Sequence, residues 1–100
     1  MRAVRFDEYG PADRLRVVEA ETPEPGPGQV RVAVRAAGVN PVDWKARSGM
    51  LDGLIDTVFP VVPGWDVAGT VVALGVDTPE FRVGDEVMGY VRKDVLAGGT

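Results

Sequence analysis

Short apolar runs separated by glycine and proline recur along the chain and predict a domain built mainly of β-strands. Residues 2–6 alternate charged and apolar side chains, residues 15–19 resume the pattern, and residues 29–37 show the clearest two-residue period. One face of that third run collects apolar residues, namely Val30, Val32, Val34 and Ala36. Because successive strand side chains point to opposite faces, this spacing predicts a sheet. Residues 65–74 and 86–91 predict two further strands.

The segments between these strands hold the residues that break regular structure. The chain has 13 glycines and 8 prolines. Residues 22–28 carry three prolines, which cannot donate ladder hydrogen bonds, so an extended surface connection is predicted. Gly69 interrupts the fourth run, which indicates a bulge or a close approach of another backbone. Residues 50–59 are predicted to be irregular with a short helical turn, and residues 93–100 to be loop.

One helix is predicted, over residues 40–48. Asn40 is a favoured N-cap, and Pro41 suits the first helical position because its missing N–H is not needed there. Asp43 places negative charge in the first turn, near the positive end of the helix dipole. Gly49 supplies a left-handed stop. The elements together predict a mainly β fold, a partly open barrel with one short helix and too few strands to close.

Composition narrows the classes of function. The chain is 45% hydrophobic and 26% charged, as in globular domains. Its net charge of −4 is dispersed and forms no basic stripe, which argues against nucleic acid and anionic membrane partners. There is no cysteine, so disulfides are excluded, and residues 1–6 lack the apolar core of a signal peptide. A soluble cytoplasmic protein is expected.

Three runs carry the candidate chemistry. They are residues 38–45 (Gly-Val-Asn-Pro-Val-Asp-Trp-Lys), 63–69 (Pro-Gly-Trp-Asp-Val-Ala-Gly) and 83–87 (Val-Gly-Asp-Glu-Val). In this order they resemble the front part of the medium-chain dehydrogenase/reductase superfamily, in its zinc-independent quinone oxidoreductase (zeta-crystallin-like) branch. The resemblance implies that residues 1–100 form an incomplete N-terminal GroES-like catalytic domain. The nucleotide-binding Rossmann domain is then expected to lie outside this chain.

In the first run, Asn40 has two interpretations. It is either an N-cap that only starts the helix or, by the resemblance, a residue beside the nicotinamide ring or its ribose. Metal-dependent alcohol dehydrogenases carry a zinc-binding cysteine at the place where this chain has Asn40. The resemblance also implies a substrate pocket lined by Trp44, and a Lys45 that binds a cofactor phosphate or orients a carbonyl. A solvated lysine on a helix face is the alternative for Lys45.

The second run has Trp65 and Asp66 where the zinc enzymes carry a histidine and an acidic residue after glycine. Tryptophan cannot ligate zinc, so Trp65 is either a core side chain or a wall of the substrate pocket. Asp66 either forms an ion pair with an arginine or has a catalytic role. The third run resembles a Gly-Asp-Arg-Val turn and is predicted to be structural. Glu86 stands where the family usually has arginine.

The resemblance implies an NADPH-dependent quinone oxidoreductase or enone reductase. Such an enzyme transfers hydride to a quinone or to an α,β-unsaturated carbonyl, and the full-length form is expected to be a homodimer. NADPH is expected to bind mainly to the missing domain, so this chain alone should be inactive, and no catalytic residue is assigned. Zinc is not expected, because the chain has neither histidine nor cysteine. The alternative is a non-catalytic GroES-like barrel used for binding or assembly.

Overall fold

A computed structural model describes residues 1–91 and 95–97, and it is mainly β with one helix, as predicted. The strands are β1 (Arg2–Arg5), β2 (Arg16–Glu19), β3 (Val30–Ala36), β4 (Asp56–Thr57), β5 (Asp66–Leu74), β6 (Glu86–Tyr90) and β7 (Val95–Leu96). Helix α1 covers Pro41–Ser48, and a short 3-10 turn covers Ala12–Arg14. The strand ends lie close to those predicted from the two-residue pattern.

The strands form three small sheets that do not close into a barrel. Strands β1 and β2 pair antiparallel, and β5 lies between β3 and β6 in an antiparallel three-stranded sheet. Strands β4 and β7 pair in parallel. A single bridge between Phe6 and Val61 connects the end of β1 to the segment before β5. The predicted open architecture is therefore confirmed.

Gly69 lies in β5, close against the backbone of β3. It pairs with Val34 on β3 and with Val87 on β6, and the β3–β5 register shifts between Val34 and Ala36. A Cβ at position 69 would collide with the carbonyl oxygen of Ala33. The prediction of a bulge or a close backbone approach at Gly69 is confirmed.

The core packs against helix α1, which contributes Ala46 and Val42 to it. Its buried members are Phe6, Ala46, Val61, Trp65 and Leu96, with Tyr9, Leu15, Val42, Leu51 and Ile55 packed around them. The three-stranded sheet is different, because Val34, Met88 and Tyr90 are 60%, 87% and 69% exposed. The alternation in β3 therefore predicts the strand correctly, but the apolar face of its second half is not covered by the residues that the structure describes.

The C-terminal segment departs from the sequence prediction. Residues 93–100 were expected to be loop, but Val95–Leu96 forms β7, and the Leu96 carbonyl accepts a hydrogen bond from the Val58 N–H at 2.7 Å. Leu96 is fully buried in the core, so a two-residue strand is stabilised by packing that local sequence does not reveal. Residues 93–94 and 98–100 of the predicted loop lie outside the described residues.

Residues 50–59 were predicted to be irregular with a short helical turn. The turn is present, because the N–H of Ile55 donates to the Leu51 carbonyl at 3.0 Å, but Asp56–Thr57 forms strand β4, which was not predicted. Within the described part of the chain, no helix is long and apolar enough to cross a membrane.

Candidate functional site

Helix α1 begins where the sequence predicts and for the predicted reasons. Asn40 is the N-cap, with an extended backbone at φ −122° and ψ 162°, and Pro41 follows it. The Asp43 carboxylate accepts a hydrogen bond from the Asn40 backbone N–H at 2.9 Å, which is half of a capping box. Gly49 ends the helix in the left-handed region at φ 87°. These local interactions fix the position of Asn40.

Asp43 also joins the first run of the sequence to the second. Its other carboxylate oxygen, Oδ1, accepts a hydrogen bond from the backbone N–H of Gly64 at 2.9 Å. One carboxylate thus satisfies two backbone donors from segments 24 residues apart in the chain (64 minus 40). The start of the helix is held against the segment that leads into β5.

Asp66 makes the second such connection. Its Oδ2 accepts a hydrogen bond from the Asn40 side-chain nitrogen Nδ2 at 2.8 Å, and its Oδ1 accepts one from the backbone N–H of Gly38. The Asn40 amide, and then the Gly38 N–H, hold the pKa of the Asp66 carboxyl below its usual range, although partial desolvation opposes them. Asp66 is therefore an ionised acceptor at neutral pH.

These residues form one polar cluster, defined as Gly38, Asn40, Asp43, Gly64 and Asp66. A glycine at position 38 leaves room for this carboxylate, because an added Cβ would lie 2.6 Å from Asp66 Oδ2 and 2.7 Å from Oδ1. With a side chain there, the carboxylate would have to shift. The close approach of Asp66 to the backbone thus depends on the first residue of the first run.

A shallow, open groove of about 560 Å³ adjoins the polar cluster. Its lining comes from the end of β3 and the two residues after it, from the start of β5 and from the second half of β6. The residues are Ala36, Ala37, Gly38, Asp66, Val67, Ala68, Met88 and Gly89. Small apolar side chains dominate this surface, and Asp66 supplies its ionised group.

Among the described residues, the other residues predicted for the site share no hydrogen bond with the Asn40 amide. Trp44 is half-exposed on helix α1, and the Lys45 ammonium lies 5.7 Å from the centre of its ring. Trp65 is 9% exposed and belongs to the core, where its ring meets Tyr90 edge-on with centroids 6.1 Å apart. The substrate-pocket roles of Trp44 and Trp65, and the cofactor role of Lys45, stay predictions.

Two hydrogen-bonding roles in the polar cluster were not predicted from the sequence. Asp43 was predicted only as a first-turn charge, although an acidic residue three positions after an Asn N-cap is the signal of a capping box. Asp66 was assigned either an ion pair or a catalytic role. The structure gives it amide and backbone donors as partners and no arginine among the described residues. No local signal identifies a contact between residues 26 positions apart.

The residues at the zinc-ligand positions of the family do not fit that metal. They are Asn40 and Trp65, of which Trp65 has no lone pair to donate, and the adjacent carboxylate of Asp66 already accepts two N–H hydrogen bonds. Zinc sites use histidine, cysteine and carboxylate ligands. Among residues 1–91 and 95–97, no three such side chains gather as a metal ligand set would.

Comparison with known proteins places these features in a family. Residues 26–98 match the model of the alcohol dehydrogenase GroES-like domain. A chloroplastic quinone-oxidoreductase (QR1) of Triphysaria versicolor is 43% identical over 89 residues, which cover 88% of this chain and 27% of that protein. A chloroplastic NADPH-dependent alkenal/one oxidoreductase of Arabidopsis thaliana is 39% identical over 98% of this chain and 25% of its own length.

Solved structures agree with this assignment. The human synaptic vesicle membrane protein VAT-1 homolog-like protein superposes with a TM-score of 0.85 at 34% identity, over 96% of this chain and 30% of that one. The Escherichia coli quinone oxidoreductase complexed with NADPH gives a TM-score of 0.85 at 25% identity, over 93% of this chain and 28% of that one. This chain spans less than a third of each of these proteins. The chain belongs to the alcohol dehydrogenase GroES-like domain family, within the medium-chain dehydrogenase/reductase superfamily.

Proposed function

We propose that this chain is the N-terminal catalytic-domain part of a zinc-independent, NADPH-dependent quinone oxidoreductase or enone reductase. The observation that carries the proposal is the Asn40 amide, held by Asp66 at 2.8 Å where the family's zinc enzymes have a ligand. Relatives named as a quinone-oxidoreductase and as an alkenal/one oxidoreductase match nearly the whole chain, which supports this reaction class.

The proposed reaction is the reduction of a quinone or of an α,β-unsaturated carbonyl. NADPH, when bound, supplies the hydride from C4 of its nicotinamide, and the protein supplies position and electrostatics. Support for this cofactor comes from the E. coli relative complexed with NADPH and the relative named NADPH-dependent. The full-length polypeptide is proposed to bind NADPH mainly through a nucleotide-binding domain outside this chain.

The residues of this chain act by positioning. Asp43 holds the start of helix α1 against Gly64, and Asp66 holds the Asn40 side chain beside the apolar groove. In the proposal, Asn40 contacts the nicotinamide end of the cofactor or the bound substrate. Trp44 faces the substrate side, and Lys45 contacts a cofactor phosphate or a carbonyl. The buried position of Trp65 makes its proposed pocket role that of a supporting wall.

The residue types in this chain support the proposal of zinc independence. Nothing in the chain supplies an imidazole or a thiolate, and Asp66 is engaged by two N–H donors. Polarisation of a substrate carbonyl in this site is therefore assigned to hydrogen-bond donors. Cytoplasmic location and a homodimeric full-length form stay predictions.

The test is NADPH oxidation by the full-length polypeptide with a quinone and with a small cyclic enone, each before and after treatment with a strong metal chelator. We expect turnover of at least one substrate, unchanged by the chelator. Binding of NADPH without turnover of either substrate would refute the substrate assignment. Loss of turnover on chelation, restored by added zinc, would refute the metal-free assignment.

A further inference from the structure

The hydrogen bond between Asn40 and Asp66 fixes which way the Asn40 amide points. An ionised carboxylate has only acceptor atoms, so the end of the amide that faces it must be the nitrogen. The lowered pKa of Asp66 keeps the carboxylate ionised at neutral pH. The contact of 2.8 Å between Nδ2 and Oδ2 therefore excludes the flipped amide.

The other end of the amide is turned toward helix α1. In the capping box, the Asn40 side chain faces the backbone N–H of Asp43, although that N–H donates to the Asn40 backbone carbonyl at 2.9 Å. An amide nitrogen carries two hydrogens. Among the described residues, Asp66 is the one hydrogen-bond partner of Asn40 Nδ2, so one N–H of this amide is uncommitted.

We propose that Asp66 is a positioning residue that orients the Asn40 amide so that its free N–H donates to a carbonyl oxygen of the bound ligand. The inference rests on the proposed function and deepens it, because it names the chemical group that the site recognises. Both the nicotinamide carboxamide and the quinone or enone substrate carry such a carbonyl.

The surrounding charges favour a neutral carbonyl over an anionic oxygen. Asp66 contacts the Asn40 side chain and Asp43 contacts its backbone, both through charged oxygens. A ligand carboxylate or phosphate placed at the same N–H would be repelled by both carboxylates. A neutral carbonyl accepts the hydrogen bond without that cost, and the groove beside Asp66 is lined mainly by small apolar residues.

Exchanging the side chains at positions 40 and 66 tests two things separately. One is the hydrogen bond between these residues, and the other is the N–H that Asn40 offers to the ligand. In the full-length polypeptide, Asn40→Asp alone places two carboxylates against each other, so we expect a lower thermal unfolding midpoint. Asn40→Asp combined with Asp66→Asn restores the bond in reverse, because the introduced amide donates to the introduced carboxylate and still accepts from the Gly38 N–H. Aspartate is also a good N-cap, and the net charge is unchanged. We expect the exchange variant to recover most of the decrease in the thermal unfolding midpoint that Asn40→Asp causes.

We expect the exchange variant to regain stability but not activity. The exchange variant has no N–H at position 40, so we expect kcat/KM to stay about tenfold below wild type. If NADPH affinity, measured by nicotinamide fluorescence, falls in parallel, the recognised carbonyl is the carboxamide of the cofactor. If NADPH affinity is unchanged, the carbonyl belongs to the substrate. Both results support the proposal.

Two results would overturn it. Recovery of wild-type kcat/KM and NADPH affinity in the exchange variant would show that the donor is not needed. An unfolding midpoint of Asn40→Asp equal to that of wild type would show that Asp66 does not hold the side chain. A wild-type protein that neither binds nor oxidises NADPH would instead refute the proposed function and the ligand assignment, while the unfolding midpoints would still decide the role of Asp66.

Discussion

Trp65 and Asp66 are neighbours in the chain but belong to two regions that are stabilised in different ways. Trp65 is buried in the core with Phe6, Val61 and Leu96, whereas Asp66 points into the polar cluster and accepts hydrogen bonds from Gly38 and Asn40. Burial of apolar surface has no preferred direction, but each hydrogen bond needs one donor and one acceptor in place. We therefore expect core substitutions to lower stability broadly, and cluster substitutions to affect local geometry and ligand binding.

The largest expected effect comes from the core. Phe6→Ala removes a ring that is fully buried, and such a truncation costs about 3–5 kcal/mol of unfolding free energy. Denaturant unfolding followed by tryptophan fluorescence measures the loss. The matched control is Val17→Ala on β2, where the side chain is 65% exposed and the expected loss is about 0.5 kcal/mol. Equal losses would contradict the assignment of the core.

A methyl group at position 38 should disturb the cluster more than the fold. Gly38→Ala places a Cβ against both Asp66 oxygens, so the carboxylate must move away from Gly38 and Asn40. We expect a loss of about 1–3 kcal/mol, the scale of a hydrogen bond to a charged group, with weaker NADPH binding by the full-length polypeptide. Gly89→Ala is the control, because it lies in the same groove with nothing within 4 Å of its added Cβ. The comparison fails if both alanine variants bind NADPH equally.

Helix α1 was predicted from the sequence, whereas the hydrogen bonds of Asp66 in the polar cluster were not. The helix was predicted to within a residue because Asn40, Pro41 and Gly49 act through local backbone geometry. The bonds of Asp66 were not predicted, because its partners lie 26 and 28 residues away and only the packing of β5 beside β3 brings them together. Strands β4 and β7 were also missed, because two residues carry no periodicity.

The pH dependence of stability should identify Asp66 as a contributor. The folded-state pKa of Asp66 lies below its ordinary value. The carboxylate therefore stabilises the fold at pH values above the ordinary pKa of aspartate. This stabilisation is lost as the pH falls through the lowered pKa of the folded state. Wild type should exceed Asp66→Asn in unfolding free energy at pH 7, and the gap should shrink below about pH 4. Glu80→Gln, an exposed site, should show no such gap, and a constant gap for Asp66→Asn would contradict the bonding described.

The smallest effect is expected at the exposed ion pairs outside both regions. The Arg14 side chain lies 3.3 Å from Glu8, and the two side chains are 45% and 68% exposed. Such surface pairs contribute about 0–1 kcal/mol. Thermal unfolding of Glu8→Gln should therefore differ little from wild type in 150 mM salt. A loss as large as that of Gly38→Ala would contradict the small contribution assigned to this ion pair.

NADPH binding by the full-length Asn40→Ala variant tests most directly whether the Asn40 amide faces the ligand. The dissociation constant and kcat/KM with a quinone should be compared with those of wild type. The account predicts that at least one of them worsens about tenfold, because the ligand loses a hydrogen-bond donor held in place by Asp66. Wild-type values for both in a folded Asn40→Ala protein would contradict it.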